Sequence, residues 1–183
     1  ALLIVDDAHA TGVIGEGRGT AHHFHCESPR IITTGTMSKA LGSIGGYVCG
    51  SSTVIDYIIN HSRPFIFATA LSPADIGASI GALEVLAEEP RVYTEYMHKA
   101  LQALGIPSSD DTPIFPIIIG SNEGTLEASR LCEQEGIILS AIRPPTVPIN
   151  TGRLRLTVTA SHTQEELDKV IQVLQHLPTH KVI

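Results

Sequence analysis

The sequence contains no tryptophan, and aromatic residues make up only 4% of its 183 positions. Any core must therefore be aliphatic. Charge is also sparse, at 17%, and its balance is acidic, with a formal net charge of -7. No cluster of Lys and Arg occurs, whereas a nucleic-acid binder shows a basic face. No apolar run approaches the roughly 18 residues that a membrane-spanning helix needs. No charged segment leads into an apolar one at the start, so no signal peptide is read. The three cysteines, Cys26, Cys49 and Cys132, are widely spaced and odd in number. They form neither a disulfide framework nor a metal-ligand spacing, which points to a reducing, cytoplasmic compartment. The hydrophobic fraction of 43% supplies a packed core and excludes a disordered chain.

Short apolar runs alternate with helical patterns along the chain, which predicts an α/β architecture. Residues 2–6 form a continuous apolar run ending in Asp6, the pattern of a parallel strand buried on both faces. Because the chain opens directly on this strand, it is expected to be part of something longer. Residues 30–35 and 45–50 read as two more strands, separated by a loop of small residues around Lys39. A helix is expected from Ser52, with Val54, Ile55, Ile58 and Ile59 on one face. Another begins at Pro73, with Ser72 as cap and Asp75 at capping-box spacing. Its interior carries Gly77, Ala78, Ser79 and Gly81, residues that let another backbone come close. Pro90 is expected to end it, and a helix over 91–104 to follow, then a loop over 106–113. Beyond these come a strand at 114–119, a helix at 123–135 stopped by Gly136, and a strand at 137–142. Residues 153–159 alternate, with Leu154, Leu156 and Val158 on one face and Arg153, Arg155, Thr157 and Thr159 on the other. A last amphipathic helix starts near Thr163. Two domains are expected, 1–95 and 96–183.

Asp6-Asp7-Ala8-His9 places a carboxylate at a strand end, where α/β proteins bind ligands, and a histidine three residues on. Alone, this pair reads more readily as a turn former beside a surface histidine. Lys39 carries more information. It follows Thr36 and Ser38 in a tight loop, and no G-x-x-x-x-G precedes it, so the loop is not a Walker A motif. A lysine so constrained suits Schiff-base chemistry with a carbonyl. The residues then complement one another around a pyridoxal ring. Asp6 can keep a pyridine nitrogen protonated, His9 can bond the ring oxygen, Lys39 can hold the aldehyde carbon, and Thr36 and Ser38 can bond a phosphate.

Several segments are similar to the α-oxoamine synthases, a family of fold-type-I enzymes that use pyridoxal 5'-phosphate (PLP). They are Asp6 to Gly12, Gly17-Arg18-Gly19, Gly35 to Gly42, Gly45-Gly46-Tyr47 and Arg63 to Leu71. The segment Ala141 to Pro148, followed by Arg153-Leu154-Arg155, resembles most the members that serve biotin synthesis. The resemblance implies the C-terminal part of the family's large PLP-binding domain, a mostly parallel sheet, followed by a smaller α+β domain. The resemblance also implies that the N-terminal half of the family fold lies outside this stretch. It implies condensation of L-alanine with a pimeloyl thioester, carried on coenzyme A or on acyl carrier protein, in a homodimer. Lys39 would be the Schiff-base lysine and then the acid/base at the alanine α-carbon, with Asp6 and His9 on the ring. Thr36 would bind the phosphate, and Thr69 would bind it from the neighbouring subunit. Arg155 would take the substrate carboxylate, with Arg143 and Thr146 lining the acyl side.

Other readings stay open. A sister synthase using glycine, such as glycine C-acetyltransferase, would share most of these motifs. An inactive fragment serving as a dimerising module would share them too, and this stretch on its own is expected to lack activity. His22, His23 and His25 beside Cys26 resemble a metal cluster, but adjacent histidines in an irregular segment seldom converge on one ion, so no metal is expected.

Overall fold

A computed structural model describes residues 1–88, 113–159 and 161–177. The expected Pro90 stop, the helix over 91–104 and most of the loop over 106–113 lie outside the described residues. The chain divides into two compact units, Ala1–Glu95 and Tyr96–Ile183.

The first unit is built on a three-stranded sheet in the order β1-β2-β3, with β1 at Leu3–Asp6, β2 at Ile31–Thr36 and β3 at Gly46–Cys49. β1 and β2 run parallel, with Asp6 paired to Thr34. β2 and β3 run antiparallel, with Thr36 paired to Gly46. A parallel return needs a crossover of a dozen or more residues, which the short link from Thr36 to Gly46 does not supply. The expectation that residues 2–6 are buried on both faces does not hold here: Leu3 is 55% and Ile4 67% exposed. Among the described residues, β1 has a neighbouring strand on one side only, and none of them covers those side chains.

Among the described residues, this unit also has four helices: α1 (Thr20–His23), α2 (Ser52–His61), α3 (Arg63–Ile66) and α4 (Pro73–Glu88). The two one-turn helices, α1 and α3, are too short to leave a period in the sequence. α4 starts as expected, with the Asp75 N–H donating to Ser72 Oγ at 3.2 Å. The return bond differs from a capping box, because the Ser72 hydroxyl itself donates to Asp75 Oδ2 at 2.6 Å. A Cβ added at Gly77 or Gly81 would meet nothing within 4 Å, so the close approach expected there is not made by the described residues.

The second unit has an antiparallel sheet in the order β4-β6-β5, with β4 at Ile114–Gly120, β5 at Ser140–Ile142 and β6 at Gly152–Thr157. Helices α5 (Asn122–Gln134) and α6 (Gln164–Gln175) belong to the same unit. Strict alternation along β6 and on to the residue just past it buries Leu154, Leu156 and Val158 with Phe115, Ile117, Ala128, Cys132 and Leu167. Removing that apolar surface from water is what holds the unit together. Ser121 caps α5 by accepting the Gly124 N–H, and Thr163 with Glu166 forms a full capping box on α6. The strand expected at 137–142 is shorter, because only Ser140–Ile142 pair with β6 and Ile138 points into solvent. Among the described residues, no helix is long and apolar enough to cross a membrane.

Candidate functional site

Asp6 and Thr36 end the two parallel strands, so their side chains and the loops that follow emerge at one edge of the sheet. Alternation along paired strands puts Asp6, Thr34 and Thr36 on one face and Asp7, Thr33 and Gly35 on the other. Asp6 is exposed, and its Oδ1 accepts the Ala8 N–H at 3.0 Å, which bends the chain out of β1. The turn is closed by the Asp7 carbonyl, which accepts the N–H groups of Ala10 at 2.9 Å and Thr11 at 3.0 Å. His9 sits inside that turn with its side chain exposed.

Past Thr36 the chain makes a second turn. The Ser38 N–H donates to Thr36 Oγ1 at 3.1 Å, the two hydroxyls lie 2.7 Å apart, and Thr36 Oγ1 donates to the Gly45 carbonyl at 2.9 Å. Lys39 is exposed at the head of this loop, and its carbonyl accepts the Gly42 N–H at 3.0 Å. The two turns touch. Gly12 has φ +78°, and a Cβ built on it would meet Ala40 Cβ at 2.8 Å. Only glycine permits both that backbone and that approach. The structure thus gathers Asp6, His9, Thr36, Ser38 and Lys39 at one end of β1 and β2. Thr69 is exposed in the segment leading into α4. That segment reaches the same loop through Leu71, which lies against Gly45, and the Ser43 hydroxyl donates to the Asp75 carbonyl at 2.7 Å.

Three residues around this site were not singled out by their sequence positions. Asp7 is 2% exposed, and its carboxylate accepts the Thr20 N–H at the start of α1. Thr11 and Tyr47 share a short hydroxyl–hydroxyl hydrogen bond. Burial pushes the Tyr47 phenol above its ordinary value of 10.0; the bond to Thr11 opposes the shift, and nearby Cys49 and Asp7 add to it. The signal was available, because two aspartates in succession at a strand end must face opposite ways. A cavity of about 820 Å³ opens on the Asp7 face, lined by Thr33, Leu41, Tyr47, Cys49 and Leu86 among others. Asp6, His9 and Lys39 do not line it.

In the second unit, Arg155 lies mid-strand on β6, paired with Pro116 on one side and Ser140 on the other. Its Nε is buried without a hydrogen-bond partner among the described residues. Arg143 and Thr146 are exposed in the turn after β5, where the Thr146 N–H donates to the Arg143 carbonyl at 3.0 Å. Elsewhere, His22 sits 3.4 Å from Glu27 and 3.9 Å from Glu16, an ion-pair arrangement at the surface.

The family model for aminotransferase class I and II matches residues 1–174. The chain belongs to the class I and II aminotransferase family. Within this family it is 43% identical, over 96% of its length, to the 8-amino-7-oxononanoate synthase of Thermoanaerobacter pseudethanolicus. It is 42% identical, also over 96%, to a Thermus thermophilus protein named 8-amino-7-oxononanoate synthase/2-amino-3-ketobutyrate coenzyme A ligase. The matched stretches cover 46% and 47% of those proteins, so the chain spans about half the length of the curated relatives it matches. Among solved aminotransferase-family structures, it superposes on a serine palmitoyltransferase from S. paucimobilis holding a PLP–myriocin aldimine. The TM-score is 0.81 at 25% identity, covering 96% of this chain and 46% of that one. The 8-amino-7-oxononanoate synthase of Francisella tularensis gives a TM-score of 0.75 at 25% identity, covering 94% and 53%.

Proposed function

We propose that this chain is the lysine-bearing part of a PLP-dependent α-oxoamine synthase of the 8-amino-7-oxononanoate kind. The protein containing it condenses L-alanine with a pimeloyl thioester, on coenzyme A or acyl carrier protein, and releases carbon dioxide and the carrier thiol. It works in the cytoplasm as a homodimer. Residues 1–95 are the C-terminal part of the large domain, and residues 96–183 are the small domain. The observation that carries this reading is the Gly12–Ala40 contact. It brings the His9 turn against the Lys39 loop, beside the strand ends that carry Asp6 and Thr36.

The donor set suits the cofactor. An exposed carboxylate, a pair of linked hydroxyls and an exposed amine match a pyridine nitrogen, a phosphate and an aldehyde. Bound PLP supplies an electron sink that weakens the bonds at the carbon next to the substrate amine. The protein's own groups do the rest. Asp6 would keep the pyridine nitrogen protonated, and His9 would bond the ring oxygen. The hydroxyls of Thr36 and Ser38 would hold the phosphate, with Thr69 of the neighbouring subunit. The Lys39 amine would carry the cofactor and then take and return a proton at the alanine α-carbon. Arg155 would offer its guanidinium to the substrate carboxylate; among the described residues its buried Nε has no hydrogen-bond partner. Arg143 and Thr146 line the acyl side.

The test uses the full-length protein loaded with PLP, reduced with borohydride and mapped by peptide. The label is expected on Lys39; a label on Lys99 or Lys169 overturns the assignment. Thiol release from pimeloyl-CoA with L-alanine is expected in the same preparation. The double name of the Thermus relative favours one second reading, a sister synthase using glycine. Faster turnover with glycine than with alanine would select it. Absence of turnover and of PLP binding would select a non-catalytic dimerising module.

A further inference from the structure

The turn that carries His9 is held at both ends. At its start, the Asp7 N–H donates to the Thr34 carbonyl at 2.7 Å, and the buried Asp7 carboxylate takes the Thr20 N–H at 3.1 Å. At its close stands Thr11, bridged to Arg18 and bonded through Oγ1 to the hydroxyl of Tyr47. Tyr47 belongs to β3, two strands away from β1. Its ring reaches across β2 at Gly35, its partner in register, where a Cβ would collide with the ring. One residue further along β2 is Thr36. The bond thus ties the His9 turn to the far strand, over the position next to Thr36.

We propose that Thr11 and Tyr47 are positioning residues: their hydroxyl–hydroxyl bond fixes the closing end of the His9 turn and so sets where the imidazole meets the cofactor ring. This rests on the role given to His9 above. Both act through the two-residue step from Thr11 to His9. Burial raises the Tyr47 phenol, which keeps the hydroxyl protonated and able to bond across the neutral range. A group misplaced by about 1 Å can lower a rate by 10²-fold, so loosening one end of a turn is expected to cost roughly tenfold.

The experiment compares full-length holoenzymes: the parent, Tyr47→Phe, and the double variant Thr11→Val with Tyr47→Phe. Phenylalanine keeps the ring over Gly35 and removes only the hydroxyl. Tyr47→Phe is expected to lower kcat about tenfold and to leave the KM for pimeloyl-CoA unchanged. It is also expected to shift the pH at which the visible band of the lysine-bound cofactor titrates. The double variant removes both polar partners, so its Tm is expected to recover toward the parent value while kcat stays low. Recovery of kcat together with Tm would show a packing role only and overturn the proposal. So would a Tyr47→Phe enzyme with parental kcat and an unshifted band. A parent protein that takes up no PLP would overturn the functional reading and this proposal with it. A fully active parent beside an unaffected variant would overturn the proposal alone.

Discussion

The ring of Tyr47 lies over Gly35 so closely that a side chain at residue 35 would occupy the place of its Cζ and hydroxyl. Gly35 therefore lets one strand pass beneath an aromatic ring anchored on the next. Gly35→Ala is expected to push the ring away, break its bond to Thr11 and destabilise the protein by about 1–3 kcal/mol, the usual penalty for overpacking. Thermal or denaturant unfolding of the full-length protein measures this. An unchanged midpoint would mean that the ring has room to move.

Arg155 gives a prediction of a different kind. A lysine there keeps the charge but loses the planar fork that binds a carboxylate through two bonds. Charge-assisted hydrogen bonds contribute about 1.5–3 kcal/mol, so Arg155→Lys is expected to raise the KM for alanine by roughly 10- to 100-fold. The KM for the acyl thioester should barely change. Steady-state kinetics with each substrate varied in turn separates the two, and an unaltered alanine KM would remove Arg155 from the substrate site.

The capping box on α6 predicts a pH dependence. Glu166 Oε2 accepts the Thr163 N–H at 2.8 Å, and the Glu166 N–H donates to Thr163 Oγ1 at 3.3 Å. The bond from the Thr163 backbone, then that with its side chain, hold the Glu166 carboxyl below its ordinary value of 4.5, and the nearby charge of His162 adds to this. A depressed carboxylate pKa in the folded state stabilises above the unfolded value and loses its effect as pH falls through the folded one. The Tm difference between the parent and Glu166→Gln should therefore be complete above pH 4.5 and shrink as the pH is lowered from there. A difference that stays constant down to strongly acidic pH would exclude the carboxylate as its source.

Local patterns in the sequence carried far. The caps at Ser72 and Thr163 were legible because helix starts have a fixed chemistry, and both bind the N–H three residues on. The alternation through Leu154, Leu156 and Val158 was legible because a strand's side chains alternate by necessity, and all three are buried. The candidate site residues Asp6, His9, Thr36, Ser38 and Lys39 were nominated by type and spacing. Their meeting at one sheet edge depends on β1 and β2 being parallel, which requires knowledge of the partner strand. The burial expected for residues 2–6 failed for the same reason: an apolar strand is covered only if other elements lie against it, and the strand's own residues do not encode whether they do.

Sequence alone thus nominated candidate residues for a pyridoxal cofactor, and it determined the positions of most helices and strands and the family resemblance, since all three rest on local chemistry within about a dozen positions. Tertiary structure decided which aspartate of the pair is buried, that Tyr47 reaches over Gly35 to Thr11, and that Gly12 meets Ala40. The Gly12–Ala40 contact and the Thr11–Tyr47 bond join residues 28 and 36 positions apart. Such pairings are selected by the packing of the whole sheet, where each strand's register is set by its neighbours rather than by its own residues.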